Sequence, residues 1–130
     1  MQVRLPLSPI PAPRPRVTSK GWAYYPKKYR VWREEAALLI PGLLQDLGFK
    51  TPMVGAIEMS VDFVATQPKT TKLAYPKGDI DNFLKTLDCF NELLWVDDCL
   101  IVTIGASKRW APLGTEGYID LTVKEIGSWK

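Results

Sequence analysis

Four aspartates are the residues best placed to do chemistry: Asp79 and Asp81, with one residue between them, and the adjacent pair Asp97-Asp98. Gathering carboxylates is unfavourable without a cation. Two of them about 5 Å apart at an effective dielectric near 20 repel by about 3 kcal/mol. Three or four together must raise their pKa values or bind a metal. Oxygen-only donors suit a hard ion, Mg²⁺ with Mn²⁺ as a substitute. Such an ion lowers the pKa of a bound water and neutralises charge on a phosphate. Lys85, one helical turn beyond Asp81, stands where it could stabilise a phosphorane-like transition state or the leaving oxygen. The spacing supports a carboxylate cluster near Lys85, drawn from Asp79, Asp81, Asp97 and Asp98, and a divalent metal to make it tolerable. Phosphodiester cleavage is the chemistry expected of such a site once the rest of the composition is added.

Each motif alone also has a plainer reading. Asp79 suits a helix N-cap, Asp97-Asp98 suits a turn, and Asp81 and Asp88 could simply flank Lys85 as surface pairs. What favours chemistry is the conjunction with the rest of the composition. The chain has no histidine, which removes Ser-His and Cys-His nucleophile systems and the usual imidazole base. With only Cys89 and Cys99, it offers neither a soft zinc site nor a disulfide scaffold.

The net charge of +3 conceals a separation. Before Glu34 stand Arg4, Arg14, Arg16, Lys20, Lys27, Lys28, Arg30 and Arg33, and no acid. All 14 acids and the other 9 basic residues follow. Further basic segments occur at Lys69, Lys72 and Lys77 and at Lys108-Arg109. Charge kept apart in this way points to a polyanionic partner, against the alternative of a solvated arm that only aids solubility. The expected nucleic-acid contacts are Arg14, Arg16, Lys20, Lys27, Lys28, Lys69, Lys72 and Lys77. Trp22, Tyr24 and Tyr25 lie among them, either to stack on bases or sugars or to anchor the arm on the core.

These side chains must be positioned by one α/β (α+β) domain spanning 1–130: a mixed four-stranded sheet packed with two main helices behind a Pro-rich basic N-terminal arm. Alternation predicts strands over 2–7, 56–64, 100–106 and 117–125. Residues 8–26, with five prolines, should be extended and loop-like. A helix over 27–40 should break or kink at Pro41-Gly42, with a second piece from Leu43 to Leu47 ending at Gly48. Residues 66–78 read as a long polar loop, and 107–116 as another that carries Lys108, Arg109 and Trp110. From Asp79 a buried helix should carry Ile80, Phe83, Leu84, Leu87, Phe90 and Leu94 on one face. If that helix packs on the strand after Asp98, both acidic pairs can meet at one end of the sheet. No run is long and apolar enough for a membrane span, and the first 30 residues lack a signal-peptide core, so a cytoplasmic setting is expected.

The strings Gly78-Asp79-Ile80-Asp81-Asn82-Phe83-Leu84-Lys85, Leu87-Asp88 and Trp95-Val96-Asp97-Asp98 resemble the RusA family of Holliday-junction resolvases, as does Pro11-Ala12-Pro13-Arg14-Pro15-Arg16-Val17-Thr18. The resemblance runs from about residue 8 to the last strand. It implies a homodimeric, Mg²⁺-dependent endodeoxyribonuclease of bacteria and their phages, which nicks two strands of a four-way junction symmetrically and needs no organic cofactor. On matched positions, Asp79, Asp81 and Asp98 would be essential metal ligands, Asp97 an assisting acid and Lys85 the catalytic lysine. Asn82 would be a supporting residue. The ridge Leu87, Phe90, Leu94 and the arm are both candidate dimer faces. The other readings are a non-catalytic branched-DNA-binding module and a nuclease for flaps or RNA.

Overall fold

The structure, a computed structural model, describes residues 1–48 and 51–127. The chain opens with strand β1 (Gln2–Leu5), whose Val3 and Leu5 are buried while Gln2 and Arg4 face solvent. The proline-rich segment that follows is not wholly loop. Arg16–Val17 (β2) and Ala23–Tyr24 (β3) pair as a small antiparallel hairpin. No proline falls between Pro15 and Pro26, so the residues between them are free to pair.

Helix α1 runs without interruption from Lys27 to Leu47 and contains Pro41. The expected break is absent. The buried stripe Tyr29, Trp32, Ala36, Ile40 and Leu44 keeps helical spacing straight across the proline, so packing outweighs its local cost. Pro41 and Ala37, whose carbonyl loses its helical donor, are both exposed to water. The helix ends at Gly48, in the left-handed region at φ 68°.

Strand β4 (Ala56–Ala65) alternates as its sequence requires, burying Ile57, Met59, Val61 and Phe63. The chain then crosses over through the loop 66–78, the short helix α2 (Ile80–Leu84) and a 3₁₀ turn (Lys85–Phe90). The expected long helix from Asp79 is therefore replaced. The Thr86 hydroxyl, fully buried, donates to the Phe83 carbonyl at 2.6 Å, and the helix tightens there. Beyond Phe90 the main chain turns to bond with Met53, through Met53 N to Leu94 O at 2.8 Å and Val96 N to Met53 O at 3.0 Å. The apolar periodicity still marks the core: Phe83, Leu87, Phe90 and Leu94 are all buried, and only Ile80 among the strongly apolar positions stays substantially exposed. With that ridge inside the chain's own core, it cannot serve as a dimer face.

A second 3₁₀ turn (Asp98–Leu100) leads into strand β5 (Ile101–Trp110), and strand β6 (Tyr118–Gly127) completes the fold. Strand β5 runs four residues past the expected end, so Lys108, Arg109 and Trp110 belong to the sheet and not to a loop. The sheet order is β1-β6-β4-β5, with β4 and β5 parallel and the other pairs antiparallel. The expected mixed four-stranded α/β architecture is what the structure has. Both helices cover one face of the sheet. The other face is polar and open, with Arg4 paired to Asp120 at 2.7 Å and Arg109 to Asp62 at 3.0 Å. No described helix is long and apolar enough to cross a membrane.

Candidate active site

The crossover between β4 and β5 positions the acids. Gly78, immediately before Asp79, has φ 114° and sits against Pro11 and Phe83, so that a Cβ there would lie 2.9 Å from Pro11 Cγ. Only glycine fits both the backbone and the space. Lys108 fixes the same corner from β5: its Nζ donates to the Pro76 carbonyl at 2.9 Å and also to the Gly78 carbonyl. Asp79 occupies the N-cap position of α2, but its side chain makes no capping bond. The turn is held by its carbonyl, which accepts from Asn82 N and Phe83 N. Asp79 and Asp81 are both exposed, and among the described residues neither side chain has a hydrogen-bond or ion-pair partner. Carboxylates spared from structural duty are free to hold a ligand.

From Asp81 a polar stripe continues down the crossover. Lys85 Nζ donates to Asn82 Oδ1 at 3.3 Å. Asp88 pairs with Arg33 of α1 at 2.7 Å, which leaves Lys85 without an acidic partner among the described residues. The arm is sewn to this stripe by Ala12 N, which donates to the Asn82 carbonyl at 2.9 Å. Between arm, α1 and crossover lies a cavity of about 350 Å³, and Arg14, Tyr29, Asn82, Lys85, Asp88 and Asp98 are among its walls. Asp98 and Lys85 thus share one groove with the first arginine of the arm.

Asp97 and Asp98 have different environments. Asp97 Oδ1 accepts from Cys99 N at 3.0 Å, capping the turn that opens β5, and that bond, with a further one to Asp98, holds its carboxyl below the ordinary range. Asp98 is pushed the other way, first by partial burial and then by the adjacent Asp97 and nearby Asp88, with Asn91 opposing. Asp98 is therefore the acid of the pair that a cation would relieve most.

The two acidic pairs do not meet at one end of the sheet. Because β5 is parallel to β4, the crossover must carry the chain back to where β4 began. Asp98 therefore precedes Ile101, which pairs with Ile57 near the start of β4, whereas Asp79 lies by Lys108, which pairs with Phe63 near its end. Asn82, next to Asp81, nevertheless shares the groove with Asp98. Among the described residues no three carboxylates or thiols come close enough to hold a metal ion.

All eight expected DNA contacts, Arg14, Arg16, Lys20, Lys27, Lys28, Lys69, Lys72 and Lys77, are exposed, and none is in an ion pair among the described residues. Lys108 and Arg109, by contrast, are spent on the fold.

A sequence profile of the family described as Endodeoxyribonuclease RusA matches residues 6–120 of the 130-residue chain. The chain belongs to the RusA endodeoxyribonuclease family. A search of curated proteins returned no match. Membership makes the chain a nuclease that cuts DNA internally, and the matched span contains the arm, the whole crossover and β5. In this RusA family chain the groove is where arm, lysine and aspartate converge. Three residues that contact the acids or the loop before them carry no signal of that role in the sequence. Arg33 reads as one of the basic residues before Glu34, Asn91 has no motif around it, and Lys108 falls in the expected loop 107–116. Only the alternation running on past Ile104 could have placed Lys108 in the strand.

Proposed function

We propose that this chain is a Mg²⁺-dependent, homodimeric endonuclease that resolves four-way DNA junctions by paired symmetric nicks. The observation that carries the reading is the groove in which Lys85 and Asp98 stand with Arg14 of the basic arm, in a chain of the RusA family.

The donor set fits a hard divalent ion in type: exposed carboxylate oxygens, with no histidine and no gathered thiols. Asp79, Asp81 and Asp98 would hold it, with Asp97 assisting, once the two acidic pairs, which are not gathered within one chain among the described residues, are brought together. When bound, the ion supplies an activated water and neutralises charge on the scissile phosphate. Everything else falls to the chain's own residues. Asn82 orients Lys85, and Lys85, free of acidic partners, is available to stabilise charge on the phosphate oxygens. Arg14 and the arm hold the strand's backbone against the groove. Asp88 is neutralised by Arg33 and so adds less repulsion toward the phosphate.

Two observations support the dimer. A four-way junction has two-fold symmetry, and a two-fold dimer presents two equivalent sites to it. Strand β5 is an edge strand, uncharged from Ile101 to Ser107 and exposed from Val102 to Ser107. It has none of the lysines or prolines that block edge pairing along that stretch. Antiparallel pairing of two β5 edges would set the Asp98 end of each chain toward the Asp79 end of its mate, which one chain's topology keeps apart.

The test is cleavage of synthetic four-way junctions, three-way junctions, flaps, RNA hairpins and linear duplex with Mg²⁺. Paired nicks in the four-way junction with little cutting of linear duplex are expected. Equal cutting of all substrates, or binding without nicking under any divalent ion, would overturn the reading.

A further inference from the structure

The aromatics of the arm are not equivalent. Tyr25 packs edge-on against Tyr29 at 5.0 Å, and Tyr29 stacks on Trp32 at 6.0 Å, so these rings bind the arm to α1. Trp22 does the opposite. It is 71% exposed, and no ring or cation packs on it among the described residues. An indole left in water forgoes a large burial gain, so an exposed tryptophan on an ordered element calls for a partner.

The element is ordered. Thr18 N donates to the Trp22 carbonyl at 2.9 Å, Trp22 N donates to Thr18 Oγ1 at 3.1 Å, and Gly21 N donates to the Thr18 carbonyl at 2.9 Å. Gly21 takes the left-handed turn position at φ 85°. With the β2–β3 pairing behind it, the tip presents Trp22 with little conformational freedom left to lose on binding.

Resting on the branched-DNA reading above, we infer that the β2–β3 hairpin is a stacking site for an unpaired base at a DNA branch point, with Trp22 as the platform. Charge selects the occupant. Arg14, Arg16, Lys20, Lys27 and Lys28 flank the tip in sequence and are all exposed, and the chain has no acid before Glu34. That is a poor surface for an apolar protein partner and a good one for phosphates on either side of a base. Position selects the kind of DNA. The hairpin begins at Arg16, two residues after Arg14 in the groove wall, so a nucleotide on Trp22 is close in sequence to the strand held in the groove. In linear duplex both faces of each base are covered by neighbours. At a branch point a base can leave the stack and offer one.

The experiment uses the full chain in Ca²⁺ with four-way junctions and linear duplexes carrying 2-aminopurine at the branch point or mid-arm. The expected result is quenching of the branch-point label on binding. Trp22→Ala should abolish that quenching and weaken junction binding about ten-fold. Its duplex affinity, salt dependence and melting temperature should stay unchanged, and Trp22→Phe should recover most of the effect. If Trp22→Ala binds and quenches like the native chain, loses junction and duplex affinity equally, or changes oligomeric state, the assignment is wrong. Junction cleavage by the native chain separates the two readings: if it persists, only the hairpin assignment falls, and if no branched DNA is bound or cut, both do.

Discussion

Lys108 holds Gly78. The ammonium at the far end of β5 donates to the carbonyl of the residue just before Asp79, and to that of Pro76, and it lies over the rings of Tyr75 and Phe83. A lysine that a DNA-binding protein could have spent on phosphate instead fixes the loop from which Asp79 and Asp81 start. Lys108→Met keeps the length of the stem and removes the donors. It should cost about 2 kcal/mol of stability, the scale of a bond to a charged group. It should lower cleavage more than junction binding, since the acids lose their support while the arm does not. A melting curve together with kcat and Kd checks this; a drop in binding alone would instead make Lys108 a DNA contact.

Asp79 and Asp81 carry no structural load on their side chains. Asp79→Asn and Asp81→Asn should therefore melt like the native chain and bind junctions at least as well, with less repulsion toward phosphate. Both should cut more slowly by over about 100-fold, beyond the loss expected for an outer-shell partner. Native-like cutting by Asp81→Asn would remove it from the site.

Much of this was legible in the sequence because it rests on local pattern. The alternation of Ile57, Met59, Val61 and Phe63 located β4, and Gly48 located the end of α1. Elsewhere tertiary packing overrode a local rule. Pro41 should end a helix, but Ile40 and Leu44 are buried on either side of it. Phe83 to Leu94 keep helical spacing, yet the chain leaves the helix because Met53 offers it main-chain partners. The distance between the acidic pairs was out of reach for another reason: it depends on β5 being parallel to β4, and strand direction leaves no mark on the spacing of Asp79, Asp81 and Asp98.

Asp98 should give a pH signature. Its folded pKa is raised, so the ionised carboxylate is less favourable in the fold than in the open chain. That penalty is fully present above the folded pKa and fades as pH falls through it toward the ordinary value near 4. In metal-free buffer at neutral pH, Asp98→Asn should then melt higher than the native chain, and the gap should close on acidification. Added Mg²⁺ should narrow it too, by stabilising the native chain alone. Asp97→Ala should move stability the other way, because it removes the acceptor for Cys99 N. Differential scanning fluorimetry across pH with and without Mg²⁺ reads all of these, and an Asp98→Asn chain that melts lower at every pH would contradict the account.

The β5 edge gives the sharpest test of assembly. Val102 is 56% exposed and Ile104 45%, on a strand whose outer edge has no neighbour in the sheet among the described residues. Placing a lysine there is the device by which sheet proteins keep edges apart. Ile104→Lys should leave the monomer folded, since the side chain already reaches solvent, and should convert a dimer to a monomer in light scattering. If the two sites act only as a pair, the same change should abolish symmetric nicking. It should leave much of the arm's DNA affinity in place, because Arg14, Arg16 and Lys20 lie on a different element. A variant that stays dimeric and nicks in pairs would move the interface off β5, and the exposed apolar edge would then need another explanation.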